Sequence, residues 1–291
     1  MHLTRRSLLL AAAATAMPRL SWAAPSLRIV SLDYGLSSTL LSLGVVPAAI
    51  SDLADWGRWV VEPAMPSSVI DLGNTMEVNV EVLAQIRPDI ILMTPYLDQI
   101  TPIVTPYGKV SRYEIFTPDS GAILTASIAA TRKLGAEIGR DAEAEAFLTR
   151  ADAFFENCRA RLARRSPPAV TLVNFMDARH ARIYGSPGLF HNVLERIGVQ
   201  NAWKEPSNYW GFQTISIEEL ARVTDSDAML IAFDPVPGEV LPKLARSPLW
   251  QALPFSRPGQ FAVLPPTLMF GMVNEAMRFA GLLTDLLERR A

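Results

Sequence analysis

The residues with chemistry to offer are aromatic, and they stand where an α/β protein presents its ligand contacts. Tyr34 follows the first apolar run, Arg28–Leu32, and Tyr96 lies three residues past a second one, Ile90–Met93. Open α/β sheets take their ligands at the carboxyl ends of such strands. Trp59 follows the polar turn Asp55-Trp56-Gly57-Arg58 and precedes Glu62-Pro63. Trp210 stands in Asn208-Tyr209-Trp210-Gly211, a stretch with no apolar periodicity to bury it. Side chains of this kind hold a ligand through π faces and apolar area rather than by reacting with it. For these four the alternative is that each ring packs on its own lobe. Trp203 and Trp250 lie inside apolar patterns and read as core.

Catalytic machinery is not legible. The chain has no Gly-x-Ser-x-Gly elbow, no phosphate-binding glycine loop and no His-Glu-x-x-His. No catalytic residue is assigned, and the chain reads as a binder rather than an enzyme. Gly185-Ser186-Pro187-Gly188 reads as a turn, and Asp177-Ala178-Arg179-His180 as an exposed hairpin turn between strands. Of 3 histidines, His2 belongs to the N-terminal leader, which leaves too few for a histidine cluster. No metal site and no cofactor are expected. Cys158 is the only cysteine, so an intramolecular disulfide is impossible, and it shares a helical stripe with Phe154, Phe155 and Leu162. A net charge of −2 gives no reason to expect nucleic acid as a partner.

The elements that must position these residues alternate between strand and helix. Strands are expected near Arg28–Leu32, Ala48–Ser51, Ile90–Met93, Val170–Asn174, Met229–Phe233 and Phe261–Leu264. Helices are expected near Leu36–Leu43, Asn79–Ile86, Ala122–Ile138, Leu189–Ile197 and Asn274–Arg290. Such alternation gives mainly parallel sheets. Two segments read as one unit used twice: Glu81-Val82-Leu83-Ala84 leading to Asp89-Ile90-Ile91-Leu92-Met93, and Glu219-Leu220-Ala221 leading to Asp227-Ala228-Met229-Leu230-Ile231. Between them, Asp141 to Arg165 lacks Gly and Pro, carries acids at its start and arginines at its end, and keeps helical apolar spacing. The expectation is two α/β lobes, at 24–140 and 166–291, with mainly parallel sheets and one long rigid connecting helix at 141–165.

Residues 1–23 read as an export signal. Thr4-Arg5-Arg6-Ser7 supplies a twin-arginine pair, Leu8 to Met17 a short apolar run, and Ser21-Trp22-Ala23 small residues before a cleavage point. That run is too short to span a bilayer, which takes about 20 residues. The mature chain is therefore expected in a periplasm.

On a wider set of residues the chain resembles the periplasmic ferric-siderophore-binding proteins of ABC importers, above all those of the hydroxamate type. The pieces that carry the likeness are Arg58-Trp59-Val60-Val61-Glu62-Pro63, Val69-Ile70-Asp71-Leu72-Gly73, Asn201-Ala202-Trp203, Asn208-Tyr209-Trp210-Gly211 and Ser247-Pro248-Leu249-Trp250-Gln251-Ala252-Leu253-Pro254-Phe255. The resemblance implies a ligand cleft between the lobes and a ferric siderophore touched only on its outer surface, since its iron is already wrapped by the siderophore's oxygens. It implies ligand contacts from Trp59, Tyr96 and Trp210, with Tyr34 flanking and Tyr209 beside Trp210. It places Thr75 where a hydroxamate binder carries an arginine, and Leu268 and Phe270 at two further wall positions. It also implies a monomer that docks with an inner-membrane permease through one acid on each lobe, here Asp98 and Glu195. Corrinoid and haem are the rival ligands.

Overall fold

In the computed structural model, residues 27–119 and 121–290 are described. The leader, and with it the export reading, lies outside them. The first lobe is β1 (Ile29–Ser31), α1 (Tyr34–Ser42), β2 (Ala49–Ile50), β3 (Ile70–Asp71), α2 (Val80–Ile86), β4 (Ile90–Met93), β5 (Lys109–Arg112) and α3 (Ile123–Ile138). The long helix α4 (Asp141–Ala163) follows. The second lobe is β6 (Val170–Phe175), β7 (His180–Tyr184), α5 (Leu189–Ile197), β8 (Phe212–Ser216), β9 (Met229–Phe233), β10 (Phe261–Leu264) and α6 (Val273–Arg290). Short helical turns fill several of the connections.

The first sheet has the order β3-β2-β1-β4-β5, parallel throughout. The second has the order β10-β9-β6-β7-β8, parallel from β10 to β6 and antiparallel through β7 and β8. The central strands are apolar on both faces because both faces are covered. In β1, Ile29 packs into the core beneath the long helix while its neighbour Val30 packs into a separate cluster on the opposite face.

Local signals set the helix ends. The Asp33 carboxylate accepts the Leu36 N–H at 2.9 Å and caps α1, and Asn79 caps α2 through the Val82 N–H at 3.1 Å. The long helix runs about 35 Å at 1.5 Å per residue and stops at Ala163, two residues short of the expected end. Arg164 caps it, and Ser166 takes a positive φ of 47° ahead of two prolines. Its buried stripe is Phe147, Leu148, Ala151, Phe155, Cys158 and Leu162, with Phe154 half-buried. This stripe joins one apolar core that reaches from Ile29, Leu36 and Ile90 of the first lobe to Leu172, Ile231 and Phe279 of the second. The helix is thus a shared spine, packed on both sides. Burial pushes the Cys158 thiol pKa up, as suits a packed side chain.

The unit used twice takes two forms. In the first lobe it is α2 followed by β4; in the second it is a 3-10 turn, Ile217–Arg222, followed by β9. Asp177 closes the β6–β7 turn, its carboxylate accepting the Arg179 and His180 N–H groups at 2.6 and 2.9 Å. Trp203 and Trp250 are buried in the second lobe. Among the described residues no helix is long and apolar enough to cross a membrane.

Candidate functional site

A cavity of about 860 Å3 lies between the lobes. The first lobe lines it with residues that follow each of its strands, β1 to β5. Tyr34 begins α1 right after its Asp33 cap, and its phenol donates to the Asp52 carbonyl at 2.5 Å. Burial, followed by Asp52, raises the Tyr34 pKa, so the phenol stays neutral. Trp59 ends a short helical turn and lies half-buried beneath the Arg58 guanidinium, 4.6 Å from its ring centre. Thr75 lies against the Asp52 carboxylate: its hydroxyl donates to Oδ2, its N–H reaches the same oxygen at 3.2 Å, and Ser51 Oγ is 2.7 Å away. Tyr96, in the turn after β4, is 60% exposed.

The second lobe supplies Trp210. Two glycines hold its loop against the turn that precedes α5. A Cβ on Gly211, which has φ +80°, would come within 2.0 Å of Gly188 Cα. The Gly185 N–H donates to the Gly211 carbonyl at 3.0 Å, and the Asn208 side chain accepts the Trp210 N–H at 3.0 Å. So fixed, the Trp210 ring reaches across the cleft. It stacks on Phe116 at 5.6 Å and meets the edges of Tyr96 at 5.9 Å and Phe270 at 5.4 Å. Tyr209 packs behind it at 4.9 Å, outside the main cavity and facing a neighbouring one of about 820 Å3. Leu268 and Phe270 line the main cavity from the segment between β10 and α6.

Phe116 and Arg182 stand out among the lining residues that the sequence does not point to. Phe116 follows β5 and faces Trp210. Arg182, in the middle of β7, is the one base lining the cavity among the described residues. Its guanidinium lies 4.4 Å from the Phe212 ring centre, and its Nε is buried without a hydrogen-bond partner. Tyr184, two residues on and on the same face, donates its phenol to Asn174. Burial raises the Tyr184 pKa, an effect partly offset by Arg182. The readable signal is the pair itself, since a base and an aromatic at i and i+2 share one strand face.

Carboxyl groups complete the electrostatics. Asp33 is half-buried beside the cavity, where desolvation raises its pKa against the opposing Leu36 and Thr94 hydrogen bonds. Beyond it, where α1 crosses the start of α6, burial pushes the pKa of Glu275 to about 7. Among the described residues no group of three or more His, Cys, Asp or Glu is placed to hold a metal ion.

Two lobes, a spine helix and a lined cleft invite comparison with known proteins. A family model described as periplasmic binding protein matches residues 29–268. The chain belongs to the periplasmic binding protein family. It is 29% identical over 268 residues to the iron(3+)-hydroxamate-binding protein FhuD of Escherichia coli K12, covering 91% of this chain and 88% of that protein. The structure of siderophore binding protein FhuD from Vibrio cholerae, with Fe3+-Desferal bound, superposes with a TM-score of 0.84 at 27% identity, covering 91% of this chain and 99% of that one. The triscatecholate siderophore binding protein FeuA of Bacillus subtilis gives 0.68 at 14% identity, over 91% and 94%, a likeness of fold alone.

Within this periplasmic binding protein the two expected docking acids differ. Asp98 is held by Arg112 in a two-pronged pair at 2.7 and 2.8 Å, and that hydrogen bonding lowers its pKa. Glu195 on α5 has a side chain that is 65% exposed, with His191 beside it at 3.4 Å.

Proposed function

We propose that this protein captures a ferric siderophore of the hydroxamate type between its lobes and hands it to an inner-membrane ABC permease. The role is binding rather than catalysis, performed by a monomer in the periplasm after export. The observation that carries the reading is the cavity between the lobes, walled by aromatic rings and holding a single guanidinium. Each hydroxamate is a monoanion, so a ferric trihydroxamate is electrically neutral and presents apolar linkers and oxygen acceptors. Rings suit the linkers, and Arg182 suits the oxygens. A ferric triscatecholate is strongly anionic; here it would meet one base and the carboxylates of Asp52 and Asp234. Like-charge contacts of that kind select against a ligand. The names of the Escherichia coli and Vibrio cholerae relatives support the same choice. In this reading Trp59, Tyr96, Trp210, Leu268 and Phe270 form the wall, with Tyr34 and Thr75 shaping its first-lobe side.

Titrating tryptophan fluorescence with a ferric hydroxamate, a ferric catecholate, cobalamin and haem tests the ligand class. Saturable quenching by the hydroxamate at one equivalent is expected. Quenching by cobalamin or haem alone would overturn the siderophore reading.

Docking is proposed through Glu195 and Asp98. Glu195→Lys is expected to leave ligand affinity intact and cut uptake of labelled ferric siderophore at least tenfold, because a reversed charge at a docking point costs several kcal/mol. Asp98→Lys removes a residue already paired with Arg112, so Glu195 gives the cleaner result. Normal uptake by the Glu195 variant at equal expression removes that residue from the docking surface.

A further inference from the structure

The main cavity is electrically lopsided. Its guanidinium, Arg182, belongs to the second lobe, and none of the described lining residues on the first lobe is basic. What the first lobe offers instead is the Asp52 carboxylate. Asp52 sits just past β2 in the left-handed region, at φ 51°, a conformation that aspartate tolerates better than most residues. Three contacts hold it in place: Oδ2 takes the N–H and hydroxyl of Thr75, and the main-chain carbonyl takes the Tyr34 phenol. Among the described residues Oδ1 accepts no hydrogen bond, and no ion pair includes Asp52. The other bordering acids are differently placed. Asp33 is half-buried with both oxygens engaged, and Asp234 is exposed on the second lobe.

A fixed carboxylate with a free oxygen, on a wall without a base, selects for a cationic donor. We infer that the ligand is a ferric hydroxamate bearing a protonated amine, seated with the ammonium at Asp52 and its hydroxamate oxygens toward Arg182. This rests on the hydroxamate reading and adds to it an orientation and a charge. The lobes then contribute opposite halves of the recognition, and a neutral complex without the amine satisfies only one of them.

The ferric complex of Desferal carries a primary amine on a pendant arm, and acetylating that amine removes the charge while leaving the iron site unchanged. Both complexes are titrated against the wild-type protein and against Asp52→Asn at neutral pH. The amine complex is expected to bind about tenfold more tightly to the wild-type protein, the scale of one charge-assisted hydrogen bond. Asp52→Asn is expected to abolish that preference by weakening the amine complex alone. Equal affinities in the wild-type protein overturn the inference without need of any variant. So does a preference that survives in a folded Asp52→Asn protein. Failure of both complexes to bind overturns the hydroxamate reading as well, whereas equal binding of both removes only the amine.

Discussion

Trp210→Ala is expected to weaken siderophore binding by about 2 kcal/mol, roughly 30-fold in Kd. Calorimetric titration is the suitable measurement, because the substitution removes a fluorescent reporter. The size of the effect follows from the ring's position. Trp210 comes from the second lobe but stacks on Phe116 of the first and meets the edge of Tyr96. It therefore contributes wall area on a line that both lobes share, where aromatic anchors carry most of a binding energy. Truncation leaves the backbone of the loop in place, since the close contact of Gly211 with Gly188 involves no part of the indole. Stability also falls, because the half-buried ring packs against the main core as well as the cavity. A drop in Tm of a few degrees is expected from the loss of about 1 kcal/mol. Trp210→Phe keeps a ring against Phe116 and is expected to recover most of both losses. Unchanged affinity with a lowered Tm would make Trp210 a brace between the lobes and take it out of the wall.

The parts of this molecule that were legible are those whose neighbours lie close in sequence or whose faces are uniformly apolar. Ile90–Met93 and Met229–Phe233 announce central strands because both faces are buried. The long helix announces itself by composition and by the stripe from Phe147 to Leu162. Other strands carry little signal. β3 is two exposed residues, and β5 is Lys-Val-Ser-Arg at a sheet edge, with three polar residues of four. β7 alternates over its first four residues like any half-solvated strand, and β8, Phe-Gln-Thr-Ile-Ser, has no alternation at all. Tyr34 and Tyr96 are legible from their place after strands, Trp59 and Trp210 from the loop character of their surroundings, and the structure brings all four to one cavity. The contact between Thr75 and Asp52 joins residues 23 positions apart, and nothing local in either segment foretells it. Arg182 was hidden for a related reason. On a strand, an arginine between Ala181 and Ile183 reads as the outer face of a sheet. It faces a ligand cleft here only because the Trp210 loop and the Phe270 segment fold over that face.

Arg182→Met is expected to weaken binding by about 2–3 kcal/mol, roughly 30- to 150-fold, the range for a hydrogen bond from a charged donor in a partly desolvated site. Methionine keeps much of the stem and loses the guanidinium, so the loss reports charge and hydrogen bonding rather than a hole in the wall. The same variant should hold or raise Tm. Arg182 is half-buried and paired with no carboxylate among the described residues, and its Nε is a buried donor without a partner, which costs folding free energy. Binding and stability therefore move in opposite directions, which a merely structural side chain would not produce. Arg182→Lys separates charge from shape. An ammonium retains the charge but neither the planar fork nor the face that lies 4.4 Å from the Phe212 ring centre. It is expected to recover less than half of the lost free energy. Full recovery by Lys would mean that the site reads charge alone, and an unchanged affinity in Arg182→Met would remove the guanidinium from ligand recognition.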